Sequence, residues 1–281
     1  MRSAIAILAM FLAGIAGCGV PENGGAAADD EAGTSTAADR APRPNIVLLY
    51  ADDAGWADFG FQDQVAPDLA SLTPNIDRIA SEGVVCTRAY ASGVVCSPSR
   101  AGMLTGRYQQ RFGHENNIPP GYMDGGMDLE QRTIADRLGD LGYTTGLVGK
   151  WHLGYQTRFN PVHQGFDEFR GYVSGNVDFF SHIDQAGAFD WWINDQKKDE
   201  QGYSTHLITR HAVDFIKRRG DQPFCLYLAH EAPHYPYQGP GDSAERTVGG
   251  KFKTQGRRTD VADAYREMVE AMDDGVGQVQ I

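Results

Sequence analysis

The run NIVLLYA at residues 45–51 constrains this chain more than any other feature. It carries no charge, and Ile, Val and Leu fill its middle. A strand with one wet face alternates polar and apolar residues; this one does not. It therefore reads as a strand buried on both faces of a parallel sheet. Such a sheet needs helices on both sides and long crossover connections.

The rest of the 281 residues supplies them. TPNIDRIASEG (73–83) reads as a helix, with Thr73 as cap, Pro74 at the first position and Gly83 as stop. VVCTRAY (84–90) reads as a strand with Cys86 buried in it. SPSRAGMLTG (97–106) reads as a helix entered through Pro98, and TIADRLGDLG (133–142) as one stopped by Gly142. YTTGLVG (143–149) is a strand. THLITRHAVDFIKRRG (205–220) is an amphipathic helix that leads into the strand FCLYLAH (224–230). From Val261 to the last residue, Ile281, apolar residues recur at helical spacing. The class is α/β with a mostly parallel sheet. In such sheets ligands gather past the carboxyl ends of strands, and Asp52, Asp53, Lys150 and His230 all fall there.

The apolar run in MRSAIAILAMFLAGIAGC (1–18) is too short to span a bilayer comfortably and reads as a signal peptide. IAGC resembles a bacterial lipobox, which makes Cys18 the expected lipidation site and membrane anchor. The protein is expected to be exported to a bacterial cell envelope and held there by lipid. Residues 19–43 are Gly-, Ala- and Asp-rich without aromatics, and read as a flexible tether. Residues 44–281 form the expected folded domain. A formal net charge of −12 repels phosphate backbones, so nucleic acid is excluded as a partner of the overall field. No disulfide is expected among Cys86, Cys96 and Cys225, with Cys86 and Cys225 read as buried thiols.

Asp52 and Asp53 repel each other unless neutralised, and hard oxygens favour Ca²⁺ or Mg²⁺ over zinc. The alternative is that one caps a turn and the other is solvated. Lys150 and His152 in GKWHLG share a face of an extended segment and suit an oxyanion; the alternative is a surface Lys and a core His. His230 and His234 in LAHEAPHYPYQ lie on a Pro-punctuated loop, and no convincing further ligands make them a zinc pair. Cys96 lies near a helix N-terminus, which would lower a thiol pKa and suit a nucleophile. Arg100 is one helical turn on. Together these residues suit metal-assisted attack on a tetrahedral oxyanion, with phosphate and sulfate equally possible.

CSPSRAGMLTGR (96–107) resembles the sulfatase signature, a C-x-P-S-R core followed by x-x-L-x-T-G-R. PNIVLLYADDAGWADFG, TPNIDRIASEGV, GKWHLG, GFDEFRGY (165–172) and APHYPYQ resemble further sulfatase blocks, in the family's order. The resemblance runs from about Pro44 onward. It implies the alkaline-phosphatase-like α/β fold and oxidation of Cys96 to Cα-formylglycine by a formylglycine-generating enzyme. One oxygen of the hydrated aldehyde would attack sulfur, and the other would help eliminate sulfate. Asp52, Asp53 and the modified Cys96 would bind Ca²⁺, with Mg²⁺ as the lesser choice. Arg100 and Lys150 would hold the formylglycine, and His152 would orient or deprotonate the diol. His234 would bind sulfate and assist the leaving group, with His230 ranked below it.

The implied substrate is a sulfate ester, by analogy of a glycan or small molecule. FDWWINDQ (189–196) offers aromatics that would stack on a sugar or belong to the core. Neighbouring readings are a formylglycine-dependent phosphonate monoester or phosphodiester hydrolase, a Cys-dependent hydrolase using the unmodified thiolate, and a non-catalytic lipid-anchored sulfoglycan-binding protein. The family also has an Asp and an Asn-like metal ligand in a D-N-G-like block, then a further Lys, after a helix that MVEAMDDGVGQVQI resembles. Asp273 and Asp274 belong to that helix and do not replace them. The expectation is an N-terminal portion of a sulfatase, truncated before the last strands and C-terminal subdomain, with an uncovered sheet edge, and inactive or poorly folded in that form.

Overall fold

The two-sided burial expected of NIVLLYA is present in the computed structural model, which describes residues 43–252 and 256–280 and the backbone of 5–9. Its strands are β1 (Ile5–Ala9), β2 (Asn45–Tyr50), β3 (Thr144–Lys150), β4 (Glu168–Tyr172), β5 (Trp192–Ile193), β6 (Gln196–Lys197) and β7 (Phe224–Ala229). They form one sheet in the order β1-β2-β7-β3-β4-β5-β6. The first five strands in that order are parallel; β5 and β6 add an antiparallel edge.

Helices α1 (Pro74–Glu82), α2 (Cys96–Thr105), α3 (Ile134–Asp140), α4 (Ser204–Lys217) and α5 (Val261–Val279) complete the layers. Alternate residues of each central strand feed opposite cores. Val47, Leu49, Leu226 and Leu228 pack with Ile208 and Phe215 of α4 and Met272 of α5. Leu48, Tyr50, Tyr227 and Ala229 pack with Leu104 of α2 and Ala135 of α3. Each such Leu or Phe contributes about 1.5–3 kcal/mol.

Several local expectations change. Residues 84–90 are not a strand; Val84 is 89% and Val85 45% exposed, and Cys86 is exposed rather than buried. A β-branched run has strand propensity only where a neighbour pairs with it and covers a face. Thr73 precedes α1 as expected, but its side chain does not cap the helix. It accepts from Gly60 N at 2.8 Å and donates to Asp77 at 3.1 Å. Asp273 of α5 caps instead, accepting from Asn75 N at 3.1 Å and Ile76 N at 2.8 Å. Thr133 and Asp136 form a capping box on α3, and Gly142 follows the helix at φ 79°. β4 is a strand within GFDEFRGY (165–172), which has no apolar run to mark it. Trp191 is fully buried against His182, with ring centroids 4.3 Å apart, and so belongs to the core.

β1 falls inside the run read as a signal peptide; its backbone pairs in parallel with β2, from Ile5↔Asn45 to Ala9↔Leu49. Cys18 and nearly all of the tether lie outside the described residues. Among the described residues Cys86, Cys96 and Cys225 are free thiols, and no helix is long and apolar enough to cross a membrane.

Asp178 holds the loops around the site together. Its buried carboxylate accepts from the backbone N–H groups of Phe180, Ser181, Glu245 and Arg246 at 2.7–3.0 Å. Burial alone would raise this carboxyl, but these donors hold it below the ordinary range. The folded pKa is depressed, so the stabilisation is full above the unfolded value of about 4 and drains as pH falls through the folded value. Asp178→Ala is expected to cost about 3 kcal/mol, because one buried and three part-buried N–H groups lose their acceptor. Urea unfolding at pH 7 and at pH 3–4 checks both statements: the variant's deficit should shrink in acid.

The register places the functional end of the sheet. Ala229 of β7 pairs with Tyr50 on one side and Gly149 on the other. The carboxyl ends of β2, β7 and β3 therefore finish level, bringing Asp52, His230 and Lys150 to one end. Gly149 makes this approach possible: its φ is 112°, and a Cβ there would lie 1.9 Å from the Ala229 carbonyl oxygen.

Candidate active site

A buried ionic group forms the floor of the site. Asp52 follows β2, Lys150 ends β3, and Arg100 lies one turn into α2; all three are buried, the two cations completely. Lys150 Nζ hydrogen-bonds Asp52 Oδ2, and Arg100 Nη2 lies 3.2 Å from Asp52 Oδ1. Arg100 Nη1 donates to the Lys150 carbonyl at 2.8 Å and to Tyr227 Oη at 3.2 Å. Its guanidinium rests on the Tyr50 ring, 4.9 Å from the centroid. Burial opposes charge on Asp52, but Lys150 and Arg100 outweigh it and hold the carboxyl far below its ordinary range. Asp52 in turn keeps Lys150 firmly protonated despite burial.

Cys96 is the first residue of α2 and partly exposed. The helix N-terminus does not lower its pKa as expected. Burial raises it, Asp52 adds to the rise, and Lys150 and Arg100 only partly oppose them. The first-turn N–H of Ser97 is already taken by Asn117 Oδ1 at 2.8 Å. The thiol is therefore protonated at neutral pH and a poor nucleophile, which counts against the unmodified-thiolate reading. Ser97 ties α2 to the neighbouring loops, donating to the His152 carbonyl at 2.7 Å and meeting His114 Nε2 at 2.7 Å.

The histidines divide by position. His152 has a left-handed φ of 59°, so it leaves the direction of β3, and the shared extended face with Lys150 is lost. Its Nε2 lies 3.2 Å from the Ile118 carbonyl, which makes Nε2 the N–H. Nδ1 then carries a lone pair, buried and without a partner among the described residues. Burial and the charge of Lys150 push this ring well below its ordinary pKa, so it is neutral. His234 sits between two cis peptides, Ala232–Pro233 and Tyr235–Pro236. Its Nδ1 donates to the Tyr235 carbonyl at 2.6 Å, and its Nε2 faces Asp53 at 3.4 Å. Burial and Lys150 lower its pKa, against the pull of Asp52 and Asp53. His230 is buried with neither nitrogen bonded among the described residues, and burial lowers it to about 4. It lines neither cleft described below.

Cys96 stands between two clefts. One, of about 110 Å³, is lined by His152, Tyr155, Asn176, His234 and Tyr235. The other, of about 230 Å³, is lined by Asp52, Asp53, Gly93, Val95 and Ser99. Ligating atoms of Asp52, Cys96 and His234 lie within 4.8 Å of one another. A neutral His234 directs the Nε2 lone pair at the Asp53 carboxylate, and such a pair repels unless a proton or cation lies between. Two carboxylates and this lone pair beside Cys96 fit a cation, and the oxygens fit a hard one. Asp273 is spent capping α1 and takes no part.

Asn117, Tyr155, Asn176 and Tyr235 were not singled out by sequence. None of them carries a spacing pattern in the sequence, and the place of Asn176 just beyond β4 is known only from the fold.

A family model for sulfatases matches residues 44–280. N-acetylgalactosamine-6-sulfatase of Mus musculus is 32% identical over 256 residues, covering 84% of this chain and 46% of that protein. Arylsulfatase A of Homo sapiens is 35% identical over 231 residues, covering 74% and 45%. Among solved structures, Ps i-CgsB in complex with k-i-k-neocarrahexaose matches with a TM-score of 0.71 at 32% identity, covering 84% of this chain and 54% of that one. BT4656 in complex with D-glucosamine-2-N,6-O-disulfate matches at 0.56 and 29%, covering 70% and 36%. The chain spans about half the length of the relatives it matches. With its mainly parallel sheet, helices on both faces and signature at the head of α2, the chain belongs to the sulfatase family.

Proposed function

We propose that the protein is a sulfuric ester hydrolase acting on a sulfated carbohydrate, with Cys96 as the precursor of Cα-formylglycine. The observation that carries this reading is the position of Cys96, at the junction of an acidic cleft and a cleft lined by His and Asn, with Arg100 and Lys150 behind it. Hydrated formylglycine would supply the nucleophilic oxygen that a protonated thiol lacks. Asp52 and Asp53 would hold Ca²⁺, with Mg²⁺ the second choice, and the ion would polarise the sulfate group.

The chain's own groups have distinct parts. His152 Nδ1 offers a neutral lone pair to take a proton from the nucleophile. Lys150 and Arg100 offset negative charge developing on the sulfate oxygens. His234 stands beside Cys96 on the cleft side, placed to bind sulfate and to assist departure of the alcohol. The sugars held in Ps i-CgsB and BT4656 support a sulfated glycan as substrate. A formylglycine-generating enzyme is the partner required before the first turnover. Residues 1–18 support export and lipid anchoring at Cys18.

The test uses the whole protein encoded by its gene, produced with a formylglycine-generating enzyme. The peptide spanning 89–100 should be lighter than its sequence mass by about 18 Da. Sulfate monoesters should be hydrolysed faster than matched phosphodiesters or phosphonate monoesters. The opposite preference would favour the phosphonate or phosphodiester reading. A Cys96 that stays alkylatable, in protein that binds sulfated sugars without turnover, would favour the binding-protein reading.

A further inference from the structure

The turn that follows β4, residues 173–177, is fixed from every side. Val173 N and Ser174 N donate to the buried carboxylate of Asp190, Ser174 at 2.7 Å. Ser174 Oγ donates to the Asn176 carbonyl at 3.1 Å. Val177 N donates to Oε1 of the fully buried Glu231 at 2.8 Å. Gly175 passes directly against His152: a Cβ at this glycine would lie 2.9 Å from Nε2 of that ring. The five residues are thus tied to the acid side chains of Asp190 and Glu231 and packed against the His152 ring. Such support is what holds a binding group in a fixed place.

On this turn one polar atom is left over. Asn176 is 4% exposed and lines the cleft of about 110 Å³ with Cys96, His152 and His234. Its Oδ1 is buried and makes no hydrogen bond among the described residues. A buried amide oxygen without a partner costs about 1–3 kcal/mol, and native proteins satisfy most such groups. The cost is offset if a ligand supplies the donor. Sulfate ester oxygens carry lone pairs only and cannot serve. The alcohol part of a sugar ester can, through a hydroxyl. Asn176 and Cys96 line this same small cleft, so a hydroxyl that meets Oδ1 lies near the group held at Cys96. The hydroxyl must therefore lie close to the carbon that bears the sulfate.

We propose that Asn176 is a substrate-binding residue that accepts a hydrogen bond from a hydroxyl neighbouring the sulfate ester, and so selects hydroxylated sulfate esters. Glu231, bonded to Val177 N, helps hold the turn that carries it. This inference rests on the sulfatase reading.

The test compares the sulfated monosaccharide that the unmutated protein turns over fastest with its analogue deoxygenated beside the sulfate. The unmutated protein should prefer the hydroxylated ester by about 10- to 100-fold in kcat/KM. Asn176→Ala should bring that ratio close to one. Asn176→Asp keeps an acceptor oxygen of the same shape and should retain a preference of several-fold, which guards against a loss that merely reflects misfolding. A preference kept at its full value by Asn176→Ala overturns the inference, as does an unmutated protein that hydrolyses both esters equally well. Failure of the unmutated protein to hydrolyse any sulfate ester overturns the sulfatase reading first and this inference with it.

Discussion

Cys96→Ala should lower kcat/KM on a sulfate monoester by roughly 10⁴- to 10⁶-fold, the scale of losing a covalent nucleophile. The fold should barely notice. Cys96 is partly exposed at the start of α2, and truncating such a side chain costs about 1 kcal/mol or less. The separation of the two effects is the useful part. A variant that stays folded, binds sulfated sugar and does not turn it over places the chemistry on residue 96. Paired measurements of steady-state rate and urea midpoint decide it. Appreciable residual turnover would show that some other group attacks sulfur.

Asp52→Asn should strike the fold as well as the chemistry. Asp52 is the counter-ion for two completely buried cations, Arg100 and Lys150. Removing its charge leaves both uncompensated, which costs about 3–5 kcal/mol. In a domain of this size that lowers Tm by roughly 6–20 °C. Asp53→Asn, one residue on, should change stability by about 0.5 kcal/mol or less, because the Asp53 side chain is 54% exposed. The double variant Asp52→Asn/Lys150→Met should lose less than the two single variants added together, since it removes a buried cation with its partner. Equal losses for the two aspartates would sink the account of an ionic floor.

These contrasts bear on what could be read from sequence. β2 and β7 were legible because strands covered on both faces need nearly unbroken apolar runs, and β3 because an uncharged run of Thr, Gly, Leu and Val follows the helix stop at Gly142. Asp52 and Lys150 were legible because they follow such runs, and Arg100 because it repeats one helical turn after Cys96. β4 was not, because EFRGY mixes charged and small residues; its identity as a strand comes from parallel pairing with β3. Residues 84–90 misled because β-branched propensity carries no information about a neighbour. The sign of the Cys96 shift was misread for a related reason. A helix N-terminus is visible in sequence, whereas burial, the nearby Asp52 and the Asn117 bond to Ser97 N are products of the assembled loops. Asn176 follows the same rule: a lone amide acquires meaning only once the fold fixes its turn and leaves its buried oxygen without a donor among the described residues.

The capping of α1 by Asp273 also has a consequence in time. The helix that begins at Pro74 receives acceptors for its first N–H groups from a residue 198 positions later than Asn75. At about 5–20 residues per second, a ribosome takes roughly 10–40 s to make that stretch. For that interval α1 has no cap of its own, because Thr73 is committed elsewhere. The segment that follows the aspartate diad is therefore finished only when α5 arrives, and the acidic side of the site should be among the last parts of the domain to become rigid.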